Sequence, residues 1–439
     1  MLERCYFPQC RKTAVVVPLP KPDQDPNLPQ NYRPISLLSS LSKVYESVLL
    51  KRLNQFLDNN NIIISEQFGF RKNLSTSHQL LRVTELIFDG FAKSETTGAL
   101  FLDVAKAFDK IWHDGLLATL MRLSCSVQFI KMTHSFLTSP VFNIYVNDIP
   151  NLPRSHLPFF ADDTAILTKH KHPDIAVQAL QTYVSQLQIW LTNWKIKVNP
   201  SKCACLLFTK KRNMPVLNPI QIFGQPVPFV SEYKYLGSIL EEKLNFDSHI
   251  QRVVTKAKNS SFALGRLIAP KSTLATKHKL LLYKTIVRPV MLYGSPLWGT
   301  ASIRNLRKLQ FFQNQQLARI VNAPWYVKRK LIHQDLKIDP VLDFMKIISK
   351  KFFEKLPRFP THCCNFYLTT QPFLFFARDL ERCWIIHMRT SRQLKDVGMS
   401  TQWLRVWTRN FIRNSYVLAL FNLLRCATPA FFRELQILN

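Results

Sequence analysis

The chain has 439 residues, 47% of them hydrophobic, which excludes a disordered polymer and leaves length for several packed subdomains. Lys and Arg number 59 against 28 Asp and Glu, a formal net charge of +31, so the expected partner is a polyanion, nucleic acid first. Nine scattered cysteines lack zinc-type spacing, no signal-like segment opens the chain, and the most apolar late stretch (residues 415–432) is broken by Asn422 and Arg425. These features argue against a zinc module, a secreted disulfide scaffold and a membrane span, and point to an intracellular protein, nuclear or cytoplasmic.

In chain order, residues 14–22 read as an apolar strand, followed by a polar, Pro-rich loop to residue 30. Val44, Val48, Leu49 and Leu53 fall at helical spacing. Residues 67–72 read as a turn carrying Arg71 and Lys72, after which Ser75 or Thr76 caps a helix through Leu80, Leu81 and Val83 to Ile87. Residues 98–104 read as a buried strand, and 108–120 and 175–190 as helices. A strand is expected at 204–208 and a strand–turn–strand at 233–240. From His249 onward the pattern is helical and basic, with helices predicted at 250–267, 276–287 and 303–321. In the last, Ile303, Leu306, Leu309, Phe312 and Ile320 form a stripe and Arg304, Arg307, Lys308 and Arg319 lie off it. Beyond about residue 360 no motif is legible.

The chemistry concentrates at Phe159-Phe160-Ala161-Asp162-Asp163-Thr164-Ala165-Ile166-Leu167. Two apolar runs flank an acidic pair, which reads as the tight turn of a hairpin. Adjacent carboxylates repel, and desolvation sharpens the cost, so a cation is expected between them. A third carboxylate, Asp103, closes the upstream strand of Phe101-Leu102-Asp103-Val104-Ala105-Lys106-Ala107-Phe108-Asp109. One strand-end carboxylate facing a hairpin with two more suits two-metal phosphoryl transfer. Asp103 and Asp162 are then the bridging ligands, Asp163 a weaker one, and Asp109 and Asp114 helix or surface residues. Mg2+ fits, being a hard cation held by few carboxylates plus substrate phosphates.

With these motifs in view, the chain resembles the reverse transcriptases of non-LTR (LINE-type) retrotransposons, most closely the jockey group. The resemblance is carried by Tyr32-Arg33-Pro34-Ile35-Ser36-Leu37-Leu38, Gln67-Phe68-Gly69-Phe70-Arg71, the two acidic motifs, residues 142–150 and Tyr235-Leu236-Gly237. Further on it continues through Tyr283-Lys284-Thr285, Arg288-Pro289-Val290, residues 293–299 and Asn322-Ala323-Pro324-Trp325-Tyr326. It implies an α+β right-hand polymerase, with fingers over 1–97, a palm over 98–245 whose antiparallel sheet bears the acids, and a helical thumb and post-thumb region over 246–360. Residues 361–439 form a helical extension the resemblance does not reach.

The implied activity is RNA-templated DNA synthesis from dNTPs onto a primer at nicked target DNA. RNA template, DNA primer and RNA–DNA hybrid are the implied partners, and two Mg2+ ions on Asp103, Asp162 and Asp163 the implied cofactor. Phe108 resembles the aromatic gate beneath the incoming sugar, although a core aromatic on an amphipathic helix fits the same pattern. Arg33, Lys43 and Arg71 resemble finger residues that meet the triphosphate or the template backbone. Lys202 resembles the lysine near the leaving pyrophosphate, a candidate general acid or a plain surface lysine. Tyr235, Leu236 and Gly237 resemble the turn that grips the primer, or a simple hairpin.

The chain departs from this family at one place inside the palm. Ser135-Phe136-Leu137-Thr138 runs straight into Ser139-Pro140-Val141-Phe142-Asn143, where the family carries a Gly-x-Pro-Gln-Gly-Ser turn. No glycine occurs between Gly115 and Gly224, and close backbone approach to a nucleotide favours glycine. Weak or absent polymerase activity is therefore the expectation for the chain as written, since alignment supplies much of the rate. No endonuclease precedes the fingers, so nicking is not expected of this chain itself.

Overall fold

The computed structural model describes residues 5–8, 13–20, 25–28, 31–104, 111–136 and 142–356. The chain divides into two units, Met1–Thr369 and Thr370–Asn439. Phe108, Asp109, the 138–139 junction and the extension over 361–439 lie outside the described residues.

The first apolar run is β1 (Val15–Pro20), which pairs antiparallel with β2 (Tyr32–Leu37) from Val15↔Leu37 to Pro20↔Tyr32. Ser39 then caps α1 (Ser40–Asn59), its side chain accepting from the Ser42 N–H. The buried face of α1 is Ser42, Tyr45, Leu49, Leu53 and Leu57, whereas Val44 is 61% exposed. Leu49 and Leu53 are thus buried as the spacing predicted, and Val44 departs from it, the neighbouring Tyr45 packing on Phe7 instead. Next comes α2 (Thr76–Ala92), begun at Ser75, whose N–H donates to His78 Nδ1 at 3.1 Å.

At the centre lies β3 (Thr96–Leu102), buried at every residue, with the apolar run from Ala99 to Leu102 after Thr96 and Thr97. Three helices follow: α3 (His113–Arg122), α4 (Val127–Phe136) and α5 (Phe142–Tyr145). α3 starts at His113, with Ile111 and Trp112 outside it and the earlier part of the predicted helix outside the described residues; Asp114 sits exposed in its first turn, where a carboxylate favours the helix dipole. Then come β4 (Ser155–His156), β5 (Phe159–Phe160), β6 (Asp163–His170), α6 (Pro173–Asn193) and β7 (Ala204–Phe208). These strands make one antiparallel sheet in the order β4-β6-β3-β7, with β5 also paired to β6.

Alternation along the strands divides the core in two. Ala99, Phe101, Ala165, Leu167, Leu206 and Phe208 pack with α2 and the helices that follow the sheet. Leu100, Leu102, Ile166 and Cys205 face the other way, onto α3 and α6. Two small hairpins follow, β8 (Gln221–Ile222) with β9 (Gln225–Pro226), and β10 (Glu232–Tyr235) with β11 (Ser238–Glu241).

The remainder is helical: α7 (Asp247–Ala263), α8 (Gly265–Ile268) and α9 (Thr276–Leu282), then a π-turn at Tyr283–Val287 leading into α10 (Arg288–Leu292). α11 (Ser295–Trp298), α12 (Ile303–Ile320), α13 (Arg329–Asp335) and α14 (Val341–Lys355) complete it. On α12, Leu306, Leu309, Phe312 and Ile320 are buried as the stripe predicted, and Arg304, Arg307 and Arg319 are exposed. Among the described residues no helix is long and apolar enough to cross a membrane.

Candidate active site

Phe160 pairs with Asp163 across the β5–β6 hairpin, so the two turn residues are Ala161 and Asp162. The acidic pair is thus divided between the turn and the first position of β6. Ala161 has φ 58°, the left-handed geometry that tight two-residue hairpin turns demand at their first position.

Sheet register brings the third carboxylate in. β3 and β6 pair up to Leu102↔Thr164, and one step further lie Asp103 and Asp163. On its other side β3 pairs with β7 up to Phe101↔Ala204, and two steps further lie Asp103 and Lys202. The Lys202 Nζ is 3.7 Å from Asp103 Oδ2, with both side chains well exposed, so the pair is weak as a source of stability. The Asp103 backbone is held in place by the Asn199 N–H, which donates to its carbonyl at 3.0 Å.

Electrostatics follow from this crowding. Burial, then Asp162 and Asp103, push the Asp163 carboxyl up to about 6, although part of the side chain still meets solvent. Asp162 is also raised, by burial first and then by Asp103, against the pull of its own backbone N–H. The donor set suits a hard divalent cation, since carboxylates raised by one another gain most from a positive ion. Among the described residues no group of three or more His, Cys, Asp or Glu side chains is placed to hold a metal ion by itself. A cation that keeps several waters and takes substrate phosphates as ligands needs none.

The other expected residues are distributed as follows. Arg33 is exposed on β2, and Lys43 is exposed in the first turn of α1. Arg71 is half-buried, its Nη1 donating to the Ile64 carbonyl at 3.4 Å. Leu236 and Gly237 form the β10–β11 turn, with φ of 45° and 82°. Tyr235 and Leu236 are buried while Gly237 faces solvent. The Tyr235 hydroxyl donates to the Pro158 carbonyl at 3.3 Å, just ahead of the acidic hairpin.

Two neighbours of the carboxylates escaped the sequence reading. Tyr233 stacks on Phe101 at 4.2 Å, and burial together with Asp163 and Asp103 pushes its hydroxyl up to about 12. Its signal was the alternation of Tyr233 with Tyr235. Gln67 is 1% exposed and binds Ala161 from 94 residues away, for which the sequence held no spacing signal.

A family model described as "Reverse transcriptase (RNA-dependent DNA polymerase)" matches residues 19–240, half of the chain. The RNA-directed DNA polymerase from mobile element jockey of Drosophila melanogaster is 31% identical over 397 residues, covering 81% of this chain and 43% of that protein. The probable RNA-directed DNA polymerase from transposon BS of the same species is 30% identical over 389 residues, covering 80% and 43%. The chain spans about two-fifths of the length of these curated relatives. Among solved structures, telomerase from Candida tropicalis aligns at 10% identity over 76% of this chain and 64% of that one, with a TM-score of 0.34, too low to argue from. The order of the motifs, the register that sets Asp103 beside the acidic hairpin, and the extent of the match agree: the chain belongs to the reverse transcriptase (RNA-dependent DNA polymerase) family and carries the reverse transcriptase domain of a non-LTR retrotransposon.

Proposed function

We propose that this domain copies RNA into DNA by two-metal nucleotidyl transfer, with Asp103, Asp162 and Asp163 as the metal carboxylates. The observation that carries the reading is the register that brings Asp103 beside the acidic hairpin, where burial first and then Asp162 and Asp103 raise Asp163 to about 6. The family's divalent ions would here be two Mg2+, which when bound supply Lewis-acid activation of the α-phosphate and the primer 3′-hydroxyl. Asp103 and Asp162 would hold them, with Asp163 a weaker ligand. Lys202, 3.7 Å from Asp103, would give a proton to the leaving pyrophosphate.

The Leu236–Gly237 turn would carry the primer strand, its exposed backbone meeting the sugar-phosphate chain while Tyr235 anchors it from below. Arg33, Lys43 and Arg71 would meet triphosphate or template backbone, and Phe108 would close the pocket against a 2′-hydroxyl. In this reading residues 1–97 are fingers, 98–245 palm and 246–360 thumb of a right-hand polymerase. Its partners are an RNA template, a DNA primer, their hybrid and dNTPs.

The test is primer extension on an RNA template with dNTPs and Mg2+. Extension is expected to require the cation and to fall on the order of 100-fold or more in Asp162→Asn and in Asp163→Asn. Undiminished incorporation by Asp162→Asn defeats the proposal. The basal rate is expected to be low, and inserting the family's Gly-x-Pro-Gln-Gly-Ser turn between Thr138 and Ser139 is expected to raise it.

A further inference from the structure

The acidic hairpin is gripped from outside. Gln67 is an amide buried in apolar surroundings whose Nε2 has no hydrogen-bond partner, so its oxygen carries the polar contacts that hold it. Its Oε1 accepts two backbone hydrogen bonds, from the Gly69 N–H at 2.8 Å and from the Ala161 N–H at 3.0 Å. Both partners are donors, so the oxygen and not the nitrogen must face them. The main chain on either side is tied as well. Phe159 N–H donates to the Glu66 carbonyl at 3.2 Å, and Phe68 N–H to the Phe159 carbonyl at 2.9 Å. Gly69 closes the contact: a Cβ there would stand 2.2 Å from the Ala161 nitrogen and 2.9 Å from its Cα, so only glycine allows the two backbones to meet.

Ala161 immediately precedes Asp162 and holds φ 58°, a conformation that residues with a Cβ rarely adopt unaided. Its N–H is satisfied not by the hairpin itself but by a side chain 94 residues upstream. We infer that Gln67, seated by Gly69, is a positioning residue for catalysis: its carbonyl oxygen sets the Ala161–Asp162 turn and so aims the paired carboxylates at their metals. The inference rests on the reading of Asp162 and Asp163 as metal carboxylates, and goes beyond it by assigning the residue that orients them. The Gln-Phe-Gly-Phe-Arg segment, whose evident chemistry was the charge on Arg71, then owes its place at the site equally to an uncharged amide.

The test uses the full chain and Mn2+ as the probe ion, with two readouts: binding by electron paramagnetic resonance, and amide hydrogen exchange at Ala161 without metal. Gln67→Met removes the acceptor at similar volume and leaves two buried N–H groups unsatisfied. At a temperature where circular dichroism shows the fold intact, Ala161 exchange is expected to quicken and Mn2+ affinity to weaken, each about 10-fold or more. Gln67→Glu keeps an oxygen acceptor at the same reach and, buried beside the acidic pair, should stay protonated; it is expected to bring Ala161 exchange back to within about 3-fold of the parent protein. Gly69→Ala, which pushes Ala161 away, is expected to behave like Gln67→Met.

Should Gln67→Met fail to fold, Gln67→Asn carries the same expectations, since it draws the oxygen back by one methylene. Parental exchange and Mn2+ affinity in folded Gln67→Met or Gln67→Asn overturn the inference. So does an equally quickened Ala161 exchange in Gln67→Glu that merely follows its fall in melting temperature, which would make the clasp a stability element only. Mn2+ binding that survives Asp162→Asn and Asp163→Asn would instead remove the metal reading, while the Ala161 exchange still judges the clasp.

Discussion

Asp163 shows how a single side chain reports the state of the site. Its folded value, about 6, stands above the roughly 3.9 of an unfolded aspartate. The protonated form is therefore favoured by folding: the contribution to stability is complete below about 3.9 and is lost as pH rises through about 6. At neutral pH the proposed metal site would carry a repulsion that a bound divalent cation relieves. The Asp163 carboxyl is expected to titrate near 6 by carbon NMR in chelator, and well below that once Mg2+ is added. Mg2+ is also expected to raise the melting temperature more at pH 7.5 than at pH 5, a difference that Asp163→Asn should abolish. Titration near 4 without metal would refute the crowding. Because Asp163 is partly open to water, the stability change should be modest. The nearness of Asp103 to the acidic hairpin was legible beforehand, because all three acids end or interrupt apolar strand-like runs. Gln67 was not, since a buried glutamine declares its purpose only once its partner is brought to it.

At the scale of elements, the two hairpins beside the site solve the same problem in different ways. The β10–β11 turn has positive φ at both central residues, the arrangement that matches strand twist, and supplies Gly237 where glycine is favoured. Tyr293 braces it: its ring lies 3.0 Å from where a Gly237 Cβ would be, and its hydroxyl bonds both the Leu236 carbonyl at 2.9 Å and Thr76 Oγ1 at 2.8 Å. Gly237→Ala is expected to cost about 1–2 kcal/mol in urea unfolding, and Tyr293→Phe about 1 kcal/mol. Because the two residues touch, the double variant should fall short of the sum. A neutral Gly237→Ala would refute the brace. The strand–turn–strand over 233–240 was readable from sequence, as were α6, α12 and β7 to within a few residues. The start of α3 was not: apolar spacing over 108–120 suits a helix, yet the helix begins only after Trp112, whose ring packs against Gly115.

On the scale of the whole molecule, β3 divides two cores, and the helices after the hairpins close one of them around Trp298. His249 stands in that closure. It accepts from the Ile239 N–H through Nδ1, lies 5.6 Å from Trp298, and is lowered to about 4 by burial and then by Lys256. Its folded value lies below the roughly 6.5 of the unfolded chain, so its contribution is present above about 6.5 and lost as pH falls towards about 4. Acid is expected to remove up to about 3 kcal/mol through this one residue. His249→Asn should flatten the decline measured by chemical unfolding between pH 6.5 and 4, and an unchanged slope would refute the assignment.

The sequence alone determined the family, the basic character and most helices and strands, because these depend on composition, local periodicity and residues adjacent in the chain. Tertiary structure alone decided which residue sits in the acidic turn, that Lys202 meets Asp103, and that Gln67 holds Ala161. Strand register and backbone contact join residues tens of positions apart, and no local pattern encodes which distant group a strand end or a buried amide will face.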